Sequence, residues 1–180
     1  MTRLLKALTV VLALILWSRP AAAEDRPPVA DERIVLHTIA GDLVLALYPT
    51  IAPQTVEQLL KLARAGVYDT TAFVRIEPAF VAQISAHWDR TKPLTDEQKA
   101  LIKKIPAELD PSVKHGRLTL SMAREDADIN SAESSFSILL NSAPHLDGKY
   151  TIFGRVVSGL TVLEDILVGE PITRVDLIPS

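Results

Sequence analysis

Four histidines, an acidic run, a group of serines and one arginine among apolar neighbours are the residues of this chain that could do chemistry. His37, His87, His115 and His145 are nowhere three or four residues apart, the spacing that lets two imidazoles share a metal ion. Asp126-Ala127-Asp128-Ile129-Asn130 begins like a calcium loop. Ser131 then takes the glycine position and Ser137 the position of the chelating glutamate, so a solvated acidic loop is the better reading. Ser131, Ser134 and Ser135 have no base assigned to them, and there is no serine elbow or glycine-rich phosphate loop. The absence of cysteine excludes a thiol nucleophile, disulfides, an iron–sulfur cluster and a thiolate zinc site. Arg75 stands apart, in Phe73-Val74-Arg75-Ile76-Glu77-Pro78-Ala79-Phe80-Val81-Ala82-Gln83. Alternation puts Phe73, Arg75 and Glu77 on one strand face and sets Phe80 and Ala82 against Val81 and Gln83. By spacing alone, Arg75 is an arginine on a solvated face.

These residues need elements to position them. Ile34 and Leu36, then Leu43, Leu45 and Leu47, alternate on either side of Ala40-Gly41-Asp42, which predicts a β-hairpin. After Pro53, Val56, Leu59, Leu62 and Ala63 recur at helical spacing, with Gly66 as the stop. Strands are expected over residues 71–76 and 80–84, parted by a turn at Glu77-Pro78. The polar stretch 87–116 holds one helix over 95–104, with Thr95 as N-cap and Asp96-Glu97 in its first turn. Residues 117–122, 135–140, 151–157 and 173–178 read as strands, and 162–168 as a short helix. Strands in runs, without regular alternation with helices, predict a mainly β fold, a closed barrel carrying helices.

The 180 residues, 48% hydrophobic and 23% charged, suit one globular domain with its own core. Met1-Thr2-Arg3-Leu4-Leu5-Lys6 is basic, residues 7–17 are apolar, and Ala21-Ala22-Ala23 precedes Glu24-Asp25. That order predicts a signal peptide over residues 1–23, cleaved after Ala23. The apolar run is shorter than the roughly 20 residues a membrane span needs. Residues 24–32, with Pro27-Pro28, read as a tether, and 33–180 as the folded domain. Cleavage removes Arg3, Lys6 and Arg19 and no acid, which takes the net charge from −3 to −6. The expectation is a periplasmic or secreted protein, free of the membrane after cleavage. Its acidity and lack of a basic block argue against nucleic-acid binding. Export without disulfides fits a bacterial envelope.

Several motifs in order resemble the cyclophilin family of peptidyl-prolyl isomerases. The family pattern Phe-His-Arg-hydrophobic-x-Pro-x-Phe-Met-x-Gln is matched at Phe73, Arg75, Ile76, Pro78, Phe80 and Gln83. Thr38-Ile39-Ala40-Gly41-Asp42, Ala52-Pro53 with Thr55-Val56, and Tyr68-Asp69 resemble its opening. Leu120-Ser121-Met122-Ala123, Ser134-Ser135-Phe136-Ser137-Ile138, Leu146-Asp147-Gly148-Lys149-Tyr150 and Phe153-Gly154 follow in register. The departures are Val74 for histidine, Val81 for methionine, Ile84-Ser85-Ala86 for Gly-Gly-Asp and Arg124 for asparagine. Ser137 replaces a phenylalanine, His145 replaces a tryptophan, and residues 88–104 replace a shorter loop.

The resemblance implies an eight-stranded antiparallel barrel capped by two helices, its interior filled and its site on the outer surface. It implies a monomeric peptidyl-prolyl cis-trans isomerase that acts on proline-containing polypeptides and needs no cofactor. Arg75 would donate to the proline nitrogen as the amide twists, and Gln83 would orient the peptide carbonyl and Arg75. Phe80, Val81, Ser137, Leu146 and Tyr150 would line the proline pocket, with Ala123 and Arg124 holding the peptide backbone. Phe73 and Ile76 would be structural. One alternative is a catalytically weak barrel kept for peptide binding or assembly. Another is a small hollow barrel around an apolar ligand, told apart by whether the interior is filled.

Overall fold

The computed structural model describes residues 27–180. The expected signal peptide and its cleavage point lie outside the described residues. The strands are β1 (Glu32–Thr38), β2 (Asp42–Leu47), β3 (Thr71–Glu77), β4 (Val81–Ile84), β5 (Thr119–Met122), β6 (Phe136–Leu139), β7 (Ile152–Ser158) and β8 (Pro171–Pro179). They close in the order β1-β2-β7-β5-β6-β4-β3-β8, every pair antiparallel. Closure leaves no free sheet edge. The tether is shorter than expected, since β1 already includes Glu32 and the Ala30 N–H donates to the Leu47 carbonyl at 2.9 Å.

Alternation explains the inner wall. Ile34 pairs with Leu45 and Leu36 with Leu43, and these four side chains all point into the core. Phe136 stands edge-on to Tyr68 at 5.8 Å and to Phe153 at 5.6 Å, within the favourable range for aromatic pairs. The Tyr68 hydroxyl donates to the Ser134 carbonyl at 2.8 Å, and burial pushes the phenol's pKa far up. The interior is filled by these rings and by aliphatic side chains, which removes the hollow-barrel alternative.

Three α-helices lie among the described residues, at the three places where the sequence predicts them. Helix α1 (Pro53–Arg64) buries Thr55, Val56, Leu59, Leu62 and Ala63 and packs near β8. It ends as its sequence dictates. The Gly66 N–H donates to the Ala63 carbonyl and the Val67 N–H to the Leu62 carbonyl, with Gly66 left-handed at φ 66°. Helix α2 (Asp96–Leu101) is shorter than the expected 95–104 but keeps Thr95 as its cap, with Gln98 completing a reciprocal capping pair. Gln58 and Gln98 side chains tie α2 to α1 through the carbonyls of Leu101 and Ala65. Helix α3 (Leu160–Asp165) starts before the expected 162–168, because left-handed Gly159 sets its N-terminus. Residues 117–118 fall outside β5 (Leu118 has φ 72°).

Glycine at position 154 is dictated by space. A methyl group there would overlap the Ala46 carbonyl oxygen of the neighbouring strand. Gly154→Ala should therefore cost about 1–3 kcal/mol of stability. A lowered urea midpoint at unchanged slope is the expected result, read by chemical denaturation.

Candidate functional site

The outer face of β3, β4, β6 and β5 carries the site, and a bulge in β3 decides what reaches it. Phe73 pairs with Ile84, yet Arg75 pairs with Gln83, so β3 holds one residue more than its partner at Val74. Phe73 is fully buried in the core, whereas Arg75 points outward and is about half exposed. The expected shared face of Phe73 and Arg75 is thus corrected, because the extra residue reverses the alternation. Ile76 then packs inward beside Ala82.

A second local device moves Phe80. The Phe80 N–H donates to the Glu77 carbonyl at 3.0 Å, with Pro78 at the first corner of the turn and Ala79 at φ 59° at the second. This is a type II arrangement with alanine where glycine is usual. Phe80 therefore lies before β4 and joins Val81 outside the barrel, not Ala82 inside it.

The register then lays down two rungs. Arg75, Gln83, Ser137 and Ser121 stand side by side across β3, β4, β6 and β5. The next rung pairs Val81 with Leu139. These two, with Ala143, form an apolar cluster separate from the core, and Phe80 and Leu146 pack on it. A short 3-10 turn (Pro144–Leu146) delivers Leu146. His145, in the place of the family's tryptophan, lies 5.6 Å from the Phe80 ring, centroid to centroid.

All nine expected site residues border one groove of about 340 Å³: Arg75, Phe80, Val81, Gln83, Ala123, Arg124, Ser137, Leu146 and Tyr150. Ser121, Met122, Asp126 and Leu139 also border it and were not anticipated. Arg75 pairs with Glu77 at 2.9 Å and lies 5.9 Å from the centre of the Phe80 ring. Gln83 sits opposite Arg75 without a hydrogen bond to it, so Glu77 orients the guanidinium where Gln83 was expected to. Arg124 lies 4.4 Å over the Tyr150 ring and donates to the carbonyls of Glu125, Asp126 and Lys149. Its charge stiffens the rim.

Beneath Ser121 lies a buried relay that the sequence did not disclose. His115 is 1% exposed. Its Nδ1 is 2.9 Å from Asp147 Oδ1, and its Nε2 is 3.0 Å from Ser121 Oγ. The Asp147 carboxylate also accepts the His115 backbone N–H at 2.8 Å. Burial lowers the His115 pKa, against the opposing pull of Asp147. The ring is therefore neutral, with Nδ1–H donating to Asp147 and Nε2 accepting the Ser121 hydroxyl. Asp147's own pKa is lowered, chiefly by the backbone N–H of His115.

The relay makes stability depend on pH. The folded His115 pKa lies below its unfolded value of about 6.5, so the unfolded chain takes the proton first. Stability is full above that value and falls as pH drops through it toward the folded pKa. Lys114 and His145 are the other charged or titratable groups that act on this pair, and Asp147 weakens only at lower pH. Urea denaturation should show stability falling as the pH drops below about 6.5. His115→Gln should flatten that slope.

Residues 33–176 match the family model described as cyclophilin type peptidyl-prolyl cis-trans isomerase/CLD. The chain is 45% identical over 150 residues to peptidyl-prolyl cis-trans isomerase CYP23 of Arabidopsis thaliana, covering 81% of this chain and 66% of that protein. It is 42% identical over 132 residues to peptidyl-prolyl cis-trans isomerase-like 1 of Gibberella zeae, covering 73% and 78%. A plant and a fungal relative carry no statement about bacterial export. In structure it is similar to a Cryptosporidium parvum cyclophilin crystallised in the presence of the dipeptide Ala-Pro. That match has a TM-score of 0.66 and 24% identity, over 82% of this chain and 98% of the other. The barrel, the ordered motifs and these matches agree: this chain belongs to the cyclophilin-type peptidyl-prolyl cis-trans isomerase family.

Proposed function

We propose that this chain accelerates rotation about X–Pro bonds in exported polypeptides, using Arg75 and the groove beside it. One observation carries the reading: Arg75 and Gln83 face each other across adjacent strands at the edge of an apolar shelf made by Phe80, Val81, Leu139 and Leu146. An apolar ring fits the shelf, and the polar rung lies beside the bond that must turn.

Amide resonance sets a barrier of about 18–20 kcal/mol to that turn. As conjugation is lost, the proline nitrogen becomes pyramidal and its lone pair becomes a better acceptor. The Arg75 guanidinium donates to this nitrogen more strongly in the twisted state than in either planar state. Gln83 donates to the preceding peptide carbonyl, and Tyr150, Ala123 and Arg124 border the path of the backbone. Glu77 holds Arg75 in place before the peptide arrives, so little reorganisation is needed. No bond is made or broken.

Export rests on the basic start, apolar run and small residues of positions 1–23. A second reading, a peptide-binding barrel with little turnover, is favoured by Ser137 in place of an aromatic wall. Exchange NMR on a proline peptide separates the two. The chain should accelerate exchange, and Arg75→Ala should lower that acceleration about 10²–10³-fold. Binding without acceleration would select the second reading, and acceleration untouched by Arg75→Ala would remove Arg75 from the reaction. Expressed in a bacterium with an envelope, the protein should be recovered from the periplasm or medium with Glu24 as its first residue. An intact N-terminus in the cytosol would overturn export.

A further inference from the structure

The polar rung contains a hydroxyl that opens on the groove without a protein partner. Ser137 is only 9% exposed, and its Oγ has no hydrogen-bond partner among the described residues, although it borders the groove. Its register partner is Ser121. The Ser121 hydroxyl hydrogen is already committed to His115 Nε2, so Ser121 offers the groove only oxygen lone pairs. The floor therefore presents one free donor and acceptors from two oxygens. A bound group that both donates and accepts satisfies it, and a hydroxyl is the smallest such group. The Ser137 hydroxyl opens on the groove, so a ligand group that replaces solvent there with fixed partners on both serines gains affinity over one that cannot.

The position of this floor selects where the ligand's hydroxyl must be. Val81 and Leu139 lie two residues from Gln83 and Ser137 on the same strand faces, a step of about 6–7 Å. A proline ring resting on the apolar shelf would turn its outer carbons toward Ser137. We propose that the groove prefers prolines hydroxylated at the outer ring carbon, C4, with Ser137 as the residue that sets this specificity. This rests on the reading of the groove as the peptidyl-proline site. The hydroxyl donates to Ser121 Oγ and accepts from Ser137 Oγ.

The test compares matched X-Pro peptides carrying proline, each C4 epimer of 4-hydroxyproline, or 4-fluoroproline, which withdraws electrons but cannot donate. With the full chain, the acceleration over the uncatalysed rate should be about five- to tenfold greater for one hydroxyproline epimer than for proline or fluoroproline. Ser137→Ala should bring that ratio to one, and Ser137→Thr, which keeps the hydroxyl, should retain it. Equal acceleration of all peptides overturns the proposal. So does a preference shared by fluoroproline or one that survives Ser137→Ala. NMR titration of the same peptides reads binding apart from turnover. A hydroxyproline preference in binding with no acceleration sinks the isomerase reading and leaves this one standing. Titrations without preference sink this one, whatever the turnover.

Discussion

Val74 is the extra residue in β3, and the groove depends on the reversal it produces. Strict alternation would put Phe73 and Arg75 on the same side. Either a phenylalanine would then lie in solvent or a guanidinium would enter a core of aliphatic and aromatic side chains, and burying an unpaired charge there is prohibitive. The bulge satisfies both residues at once. Phe73 is fully buried, and Arg75 reaches the polar rung beside Gln83. Everything on the outer face follows from that register: the apolar shelf one step along, the two serines further across, and the ion pair with Glu77 on the same side of β3.

Electrostatically, the groove is assembled from groups whose partners differ in kind. Arg124 is spent on three backbone carbonyls and the face of Tyr150, so it acts as scaffold. Arg75 is held by a single half-exposed carboxylate, a weak restraint that an incoming peptide can compete with. Ser121 is held from below by a neutral imidazole, itself fixed by Asp147. The groove thus combines a rigid floor and rim with one cation that is aimed but not trapped.

Much of this was legible in the sequence, because it rests on local chemistry. The alternation of Ile34 to Leu47 gave the hairpin, Gly66 the end of α1, and Thr95 the start of α2. The motifs around Arg75, Ser137 and Leu146 brought together residues that do line one groove. What escaped depends on register or on distant contacts. A one-residue bulge leaves no mark in the pattern when Val74 is as apolar as Phe73 before it and Ile76 beyond Arg75. The left-handed turn at Ala79 lacks the usual glycine, so Phe80 read as the first residue of a strand. His115, Ser121 and Asp147 meet only after β5 and the loop before β7 are brought together by the barrel. A buried histidine in a polar stretch gives no sign of this in a single sequence.

Closure of the barrel has a temporal side. β8 is the last of the described strands, and it lies between β1, the first of them, and β3. A polypeptide emerging from its N-terminus forward can pair β1 with β2 and β3 with β4 early. Both sheet edges at that seam stay open until residues 171–179 arrive. Pairing across such a sequence distance requires closing a long loop, which slows folding. The nascent chain thus remains an open, unlocked sheet until β8 has emerged. The geometry that abolishes edges in the finished barrel is also what postpones its completion.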